Sequence, residues 1–226
     1  KFYDETYPTV LKDIEWTMGR TGVLTPVAIF DPLDIEGSTV ERASLHNITI
    51  LEQTLGKTPY RGQKIEVFKA NMIIPQISWA DTTSNNLTHS FLSEPDVCPI
   101  CGGPVERVTE IDSTNLVCMN HLCPGKLINR LDHFCGKKGL DIKGLSKATL
   151  EKLIDWGYVN DLDDLFNLEM VRDDWMKKPG FGEKSVNKII SSIFTTSQNV
   201  SLESVIAAIG IPLIGRTVSK DLAKRF

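Results

Sequence analysis

The sequence predicts a multidomain protein in which an all-β OB-fold barrel, a small finger held by four cysteines and an all-α domain follow one another. Three observations support this prediction. Short β-type segments fill the first part of the chain, two close cysteine pairs come next, and glycine-containing turns then recur among helical segments. The expected boundaries are 6–80 for the barrel, 81–93 for a linker, 94–126 for the finger and 127–226 for the helical domain.

The barrel is predicted from the strands and their order. Segments rich in β-branched and aromatic residues alternate with turn residues, and a short helix with Ser44 as its N-cap interrupts them. The predicted strands cover residues 10–16, 23–30, 33–41 with a turn at its centre, 64–68 and 72–75. Five short strands with one helix between the third and fourth are typical of an OB-type barrel, which binds nucleic acid or another domain on one face.

Arg20 lies between Gly19 and Gly22 in the turn that follows the first strand. A guanidinium group can donate two parallel hydrogen bonds to a phosphate, so Arg20 is a candidate for DNA binding. The alternative is an ion pair with a carboxylate of the same barrel. The turn alone leaves both interpretations open.

Four cysteines form two close pairs, C-x2-C and C-x4-C, which predict a tetrahedral metal site. They are Cys98, Cys101, Cys118 and Cys123. Four thiolates leave no open coordination position, so we expect one structural zinc ion per chain and no catalytic role for it. His121 lies inside the second pair and is an alternative ligand, whereas Cys135 stands apart and is expected to be buried as a small apolar residue.

The helical domain contains an internal repeat. Ser146, Gly182 and Gly215 occupy equivalent places, 36 and 33 residues apart, and an apolar helical stripe follows each of them. The turns at 142–146 and 178–182 resemble helix-hairpin-helix motifs, which read hydrophobic-x-Gly-hydrophobic-Gly, and the turn at 211–215 is a more distant match. We call these the first, second and third turns. Ser146, Lys178 and Leu213 depart from the motif in the first, second and third turn respectively.

Glycines in such turns let the backbone approach a phosphate, and the N–H groups that open the next helix can bind the anion. Basic residues just after each turn can reach the same strand, and such binding is independent of sequence. The candidate residues are Gly144, Lys147, Gly180, Gly182, Lys184, Gly215 and Arg216. The alternative is that these glycines only end helices in a structural α-bundle.

Charge and composition restrict the function further. A net charge of −4 argues against general affinity for nucleic acid, but acidic residues concentrate between Asp155 and Asp174 and leave the rest of 127–226 basic. A merely solvated helical surface is the alternative to a basic binding face.

No apolar run approaches the roughly 20 residues of a bilayer span, and the cysteine usage fits a reducing cytoplasm. The missing initiator Met predicts that the chain is a piece of a longer protein.

The order of the modules and several short stretches resemble the bacterial NAD-dependent DNA ligase family. Residues 19–28 (GRTGVLTPVA) and 43–47 (ASLHN) are similar to its OB-domain signatures. Residues 73–75 (IIP) are similar to its A-G-[DN]-x-I-P strand, with Asn71 in place of the glycine, and 142–145 (IKGL) and 179–185 (PGFGEKS) are similar to its hairpins. The resemblance covers nearly the whole chain.

The resemblance implies an enzyme that seals nicks in duplex DNA between a 3′-hydroxyl and a 5′-phosphate through an adenylated intermediate, in replication and repair. It implies NAD and Mg²⁺ or Mn²⁺ as cofactors, nicked double-stranded DNA as partner, no membrane, a monomer, and a cytoplasmic, nucleoid-associated location. The nucleophilic lysine of the family lies in a K-x-D-G motif, which this sequence lacks, so no catalytic residue is assigned here.

Residues 1–5 resemble the end of the family's adenylation domain, where Lys1 would contact the phosphate of the adenylate. The helical domain is expected to be incomplete at its C-terminus. Two other functions compete with the ligase interpretation. One is a non-catalytic OB and helix-hairpin-helix module of a repair scaffold, and the other is a purely structural helical adaptor.

Overall fold

Two compact units, Lys1–Cys123 and Pro124–Phe226, make up the chain in a computed structural model that describes residues 5–83 and 90–225. The first unit is built on β-strands and the second on helices, as predicted. The role predicted for Lys1 falls outside the described residues. Within the described ranges, no helix combines the length and the apolar character that crossing a membrane requires.

The first unit begins with five antiparallel strands and a helix between the third and fourth, which confirms the predicted order. These elements are β1 (Tyr7–Met18), β2 (Val23–Ile35), β3 (Ser38–Ser44), α1 (Ile48–Leu55), β4 (Lys64–Ala70) and β5 (Ile74–Ala80). Strand β1 pairs with β2 and β4, β3 pairs with β2, and β5 pairs with β4. The inward faces bury a core that includes Leu11, Phe30 and Val67, each at most 1% exposed.

Two local predictions in this unit were wrong in detail. Ser44 is the last residue of β3, and Asn47 caps α1 instead, because its Oδ1 accepts a hydrogen bond from the Ile50 N–H at 2.8 Å. The last strand begins at Ile74 and not at residue 72. Asn71 and Met72 have left-handed backbones, with φ of 53° and 62°, and they form the turn between β4 and β5.

The first unit ends in an antiparallel hairpin of β6 (Val105–Thr109) and β7 (Thr114–Cys118). Strand β7 also pairs with β2, with Val117 opposite Val23 and Leu116 opposite Leu24. Part of the predicted linker is tied to the barrel as well, because the Leu92 N–H donates to the Pro59 carbonyl at 2.7 Å. The hairpin therefore extends the sheet of the barrel.

The second unit contains six α-helices and a 3₁₀ segment within the described residues. They are α2 (Pro124–Cys135), α3 (Lys147–Asp155), the 3₁₀ segment Asp163–Val171, α4 (Arg172–Trp175), α5 (Glu183–Asn199), α6 (Leu202–Ile209) and α7 (Arg216–Ala223). Leu150, Leu153, Leu165 and Val186 are fully buried in their common core. Cys135 is buried there too, as predicted, and burial raises the pKa of its thiol to about 12.

The three predicted turns share two backbone features. Each ends on the N-cap of a helix, and the residue two places earlier is left-handed. The N-caps are Ser146, Gly182 and Gly215, and the left-handed residues are Gly144, Gly180 and Leu213, with φ of 92°, 82° and 66°. The repeat is therefore present in the backbone even in the third turn, where leucine replaces glycine.

Candidate metal centre and nucleic-acid interface

The four predicted cysteines come together in one cluster. The Sγ atoms of Cys98, Cys101, Cys118 and Cys123 all lie within 4.8 Å of one another. The Sγ atoms of Cys101 and Cys118 are 3.7 Å apart. Four sulfurs bound to one ion at 2.3 Å would be about 3.8 Å apart, so the cluster has the size of a tetrahedral thiolate site.

Backbone hydrogen bonds shape the first pair of cysteines. The Cys98 N–H donates to the Gly103 carbonyl at 2.8 Å, and the Gly102 N–H donates back to the Cys98 carbonyl at 2.9 Å. Gly102 has a φ of 67°, so glycine is the residue that closes this turn without strain. The turn directs the thiols of Cys98 and Cys101 towards the same side.

Hydrogen bonding and burial set the charge state of the cluster. The Asn120 side chain and the Gly103 N–H hydrogen-bond to the Cys101 sulfur and lower its pKa to about 6, whereas burial raises the pKa of Cys118 to about 12. A soft divalent cation offsets the cost of several buried thiolates. His121 is exposed and stands outside the cluster, so the described donors fit a four-sulfur site and not a mixed one.

The cluster lies against the turn that carries Arg20. The Cys118 N–H donates to the Gly22 carbonyl at 2.9 Å, and the Cys123 thiol contacts the Met18 Sδ at 3.7 Å. Met18 ends β1, and Gly22 precedes β2. Both sides of the turn are therefore held by cysteines of the cluster, a connection that sequence reasoning missed because it depends on pairing between distant segments.

The finger hairpin also contacts the helix of the barrel. The Arg107 Nε donates to the Glu94 carboxylate at 2.9 Å, and the Arg107 guanidinium lies 3.4 Å from the Glu52 carboxylate of α1. Both carboxylates raise the pKa of Arg107. The Thr114 N–H donates to the Thr49 Oγ1 at 2.9 Å. The hairpin is thus fixed to α1 at two points, Thr49 and Glu52.

Arg20 is half-buried within this turn, which the Gly22 N–H closes by donating to the Gly19 carbonyl at 3.1 Å. The turn places Arg20 at the end of the β1–β2 hairpin, next to the metal cluster. Its contact with phosphate stays a prediction.

The predicted glycines of the helical unit are all exposed, but they differ in the space around them. A Cβ atom on Gly182 or Gly215 would meet nothing within 4 Å, and one on Gly180 would meet only the Lys152 Nζ at 3.5 Å. A Cβ on Gly144 would lie 2.7 Å from the Ile189 Cγ1. The second and third turns therefore leave their backbone open to a ligand, whereas Gly144 also serves packing within the unit.

The predicted basic residues take different positions. Lys184 is exposed one residue into α5. Lys147 donates to the Asn129 Oδ1 at 3.0 Å, and the Arg216 guanidinium donates to the Lys137 carbonyl at 2.7 Å. These two contacts hold the side chains near the starts of α3 and α7.

Sequence reasoning missed Lys152 at the second turn and named Lys178 only as a departure from the motif. The Lys152 Nζ lies 5.4 Å from the centre of the Phe181 ring, beside Gly180. Lys178 lies over the rings of Trp156 and Tyr158 and 3.4 Å from the Asp174 carboxylate. Lys152 belongs to the last turn of α3, so only the packing of α3 against the second turn reveals it.

Comparison with known proteins gives one family match and several similar proteins, and all of them are DNA ligases by name. Residues 8–88 match the family described as the NAD-dependent DNA ligase OB-fold domain. The chain is 41% identical over 227 residues to a protein named DNA ligase from Ruminiclostridium cellulolyticum, covering 100% of this chain and 33% of that protein. The same values hold for a DNA ligase of Lachnoclostridium phytofermentans. A DNA ligase of Fusobacterium nucleatum is 36% identical over 224 residues, covering 99% of this chain and 31% of the relative. The chain thus spans about a third of the length of these relatives.

Proposed function

Because the chain belongs to the NAD-dependent DNA ligase family, we propose that it forms the part of such an enzyme that grips nicked duplex DNA. The parent enzyme would join a 3′-hydroxyl to a 5′-phosphate through an adenylated intermediate, in replication and repair. Its cofactors would be NAD and Mg²⁺ or Mn²⁺. The 226 residues contain no K-x-D-G motif, so the chain alone is expected to bind DNA without sealing it.

The repeated turn conformation is the observation that carries this proposal. Three helices start from turns that place a left-handed residue two positions before the N-cap, and the backbone of the second and third turns is open to solvent. We interpret the second unit as a helix-hairpin-helix domain whose turns bind backbone phosphates through the first N–H groups of α3, α5 and α7. A helical adaptor that only caps its helices is the alternative, and it predicts no dependence of DNA binding on these turns.

In the first unit, Arg20 would bind a further phosphate from its turn. The four-cysteine cluster would hold one zinc ion, which supplies structural stability and no reactive position, because four sulfurs complete its coordination. The cluster would then act on DNA only through the turn that it holds. We also propose that the parent enzyme acts as a cytoplasmic, nucleoid-associated monomer, with no part inserted in a membrane.

Salt dependence tests this mode of binding. With the three turns and Arg20 each neutralising one phosphate, log K for a nicked duplex should fall against log salt concentration with a slope of about −3 to −4. Fluorescence anisotropy with a labelled nicked duplex at several salt concentrations measures the slope. An affinity indifferent to salt would contradict phosphate binding and favour the structural adaptor.

A glycine substitution tests the second turn. Gly182→Val is expected to weaken binding of nicked duplex about tenfold, which corresponds to about 1.4 kcal/mol, because the new side chain occupies the open space before α5. Gly182 has φ −155° and ψ 173°, an extended conformation that valine adopts readily, so the unfolding free energy should fall by no more than about 1 kcal/mol.

Ser201→Val provides the matched control, because Ser201 caps α6 outside the three turns. It should cost similar stability and leave affinity for DNA unchanged. Equal affinity of the Gly182→Val variant and the unsubstituted protein would show that the second turn does not face DNA.

A further inference from the structure

We propose that a cationic pocket beside the third turn, formed around Lys138, Arg216 and Lys220, binds a phosphate group. The proposal rests on the proposed function, and it adds two lysines to the DNA contacts of the helical unit. The pocket has a volume of about 510 Å³, and Glu203, Ser204 and Thr217 also line it. It lies among α6, α7 and the segment that follows α2.

The charges in the pocket are not balanced by the protein. Three cations and one carboxylate line it. In the ranges that the structure describes, no carboxylate lies within ion-pair distance of Lys138, Arg216 or Lys220. Lys143 and Lys224 of the same unit do have carboxylate partners, since Lys143 lies 2.6 Å from Asp141 and Lys224 lies 3.2 Å from Asp221. A concave site with excess positive charge attracts an anion.

The walls of the pocket are held in place. Arg216 donates to the Lys137 carbonyl at 2.7 Å, and its guanidinium group retains further N–H donors. Gly139 is packed so closely that a Cβ there would lie 2.3 Å from the carbonyl oxygens of His133 and Phe134. The segment that carries Lys138 is therefore fixed against the end of α2.

Two basic residues of α7 form another side of the pocket. Arg216 and Lys220 are four residues apart on α7, so they share one face of that helix. The hydroxyl groups of Ser204 and Thr217 can donate to anionic oxygens beside them. Ammonium, guanidinium and hydroxyl donors around one cavity are the groups that bind phosphate.

A phosphodiester of the duplex and a free phosphate or nucleotide share this chemistry. We assign the pocket to a backbone phosphate of DNA, because Arg216 belongs both to the pocket and to the start of the helix that follows the third turn. The two sources give different results in the experiment below.

The experiment compares Lys138→Gln, Lys220→Gln and the double variant with a control, Lys224→Gln, all in the 226-residue chain. Lys224 follows α7 directly and is paired with Asp221. Anisotropy with nicked duplex at several salt concentrations measures affinity and its salt slope. The double variant should bind about tenfold or more weakly, with a slope smaller in magnitude by about 1, because the two lysines share one phosphate. Lys224→Gln should change the affinity less than twofold. A double variant that binds as the control does would overturn the proposal.

Titration with inorganic phosphate and with AMP, followed by NMR of the lysine side chains, separates the pocket from the proposed function. A shift of the Lys138 and Lys220 signals at low millimolar phosphate, in a protein that fails to bind duplex, would support a phosphate-binding pocket but reject both the DNA-gripping function and the assignment of the pocket to DNA. Another outcome is that AMP saturates the pocket at a concentration far lower than phosphate requires. In that case the pocket binds a free nucleotide, and the assignment to DNA is overturned. If the protein binds neither duplex nor phosphate, both proposals fail.

Discussion

Removal of the metal from the four-cysteine cluster should unfold the β6–β7 hairpin and lower the affinity for nicked DNA, while the barrel core stays folded. The cluster closes both the hairpin and the β1–β2 turn, through the contacts of Cys118 with Gly22 and of Cys123 with Met18. Structural zinc contributes about 10–16 kcal/mol to small zinc-finger peptides at neutral pH. The barrel retains its own buried residues, such as Leu11 and Phe30, so the loss should be local.

Hydrogen exchange with and without a chelator measures this loss. The amides of Leu24 and Leu116, on paired strands, should lose protection, whereas the amide of Val67 in β4 should keep it. A metal assay should find one zinc per chain, unchanged in Cys135→Ala, which lies outside the cluster. Full protection of Leu24 and Leu116 after complete metal removal would contradict the structural role.

The Arg20→Ala substitution tests whether the metal-loaded cluster positions Arg20 for DNA binding. In the metal-loaded protein it should weaken affinity by a factor of about ten, the range of one charged hydrogen bond. In the metal-free protein the same substitution should change affinity little, because the turn no longer positions the guanidinium group. Additive effects of the two changes would show that the cluster does not position Arg20.

The four-cysteine cluster was predictable because its signal is local. Two short cysteine pairs and a glycine after the first define the ligands and their turn without any knowledge of the rest of the chain. The pairing of β7 with β2 was not predictable in the same way. Either strand could have joined another edge, and the register depends on how distant segments pack. The finger was therefore expected as a separate domain, while Val105–Cys118 extends the sheet of the barrel.

The turns of the helical unit were also predictable only where the signal is local. The spacing of Ser146, Gly182 and Gly215 predicted three helix starts, and all three residues are N-caps. The motif treats Leu213 as a departure, but its backbone is left-handed like those of the glycines. The motif also gives Gly144 and Gly180 the same role, whereas only the packing of α5 shows that they differ. Because of that difference, a substitution of Gly144 is expected to have a large effect on the free energy of unfolding.

Gly144→Ala should lower the free energy of unfolding by about 2–4 kcal/mol, which combines the cost of a left-handed alanine with that of overpacking. Gly144 has a φ of 92°, and its new Cβ would lie 2.7 Å from the Cγ1 of Ile189, a buried residue of α5. Chemical denaturation of the 226-residue chain measures the change. Gly182→Ala is the control, because its Cβ meets no atom within 4 Å and its backbone is extended.

The control should stay within about 1 kcal/mol of the unsubstituted protein. Comparison of the two variants then distinguishes an effect on packing from an effect on DNA binding. If Gly144→Ala loses stability and loses less of it in an Ile189→Ala background, where the Cγ1 atom is removed, the contact with Ile189 explains why glycine is needed in the first turn. If Gly144→Ala keeps its stability and loses affinity for DNA, glycine is needed in the first turn for phosphate binding and not for packing, because the Cβ of alanine obstructs the phosphate.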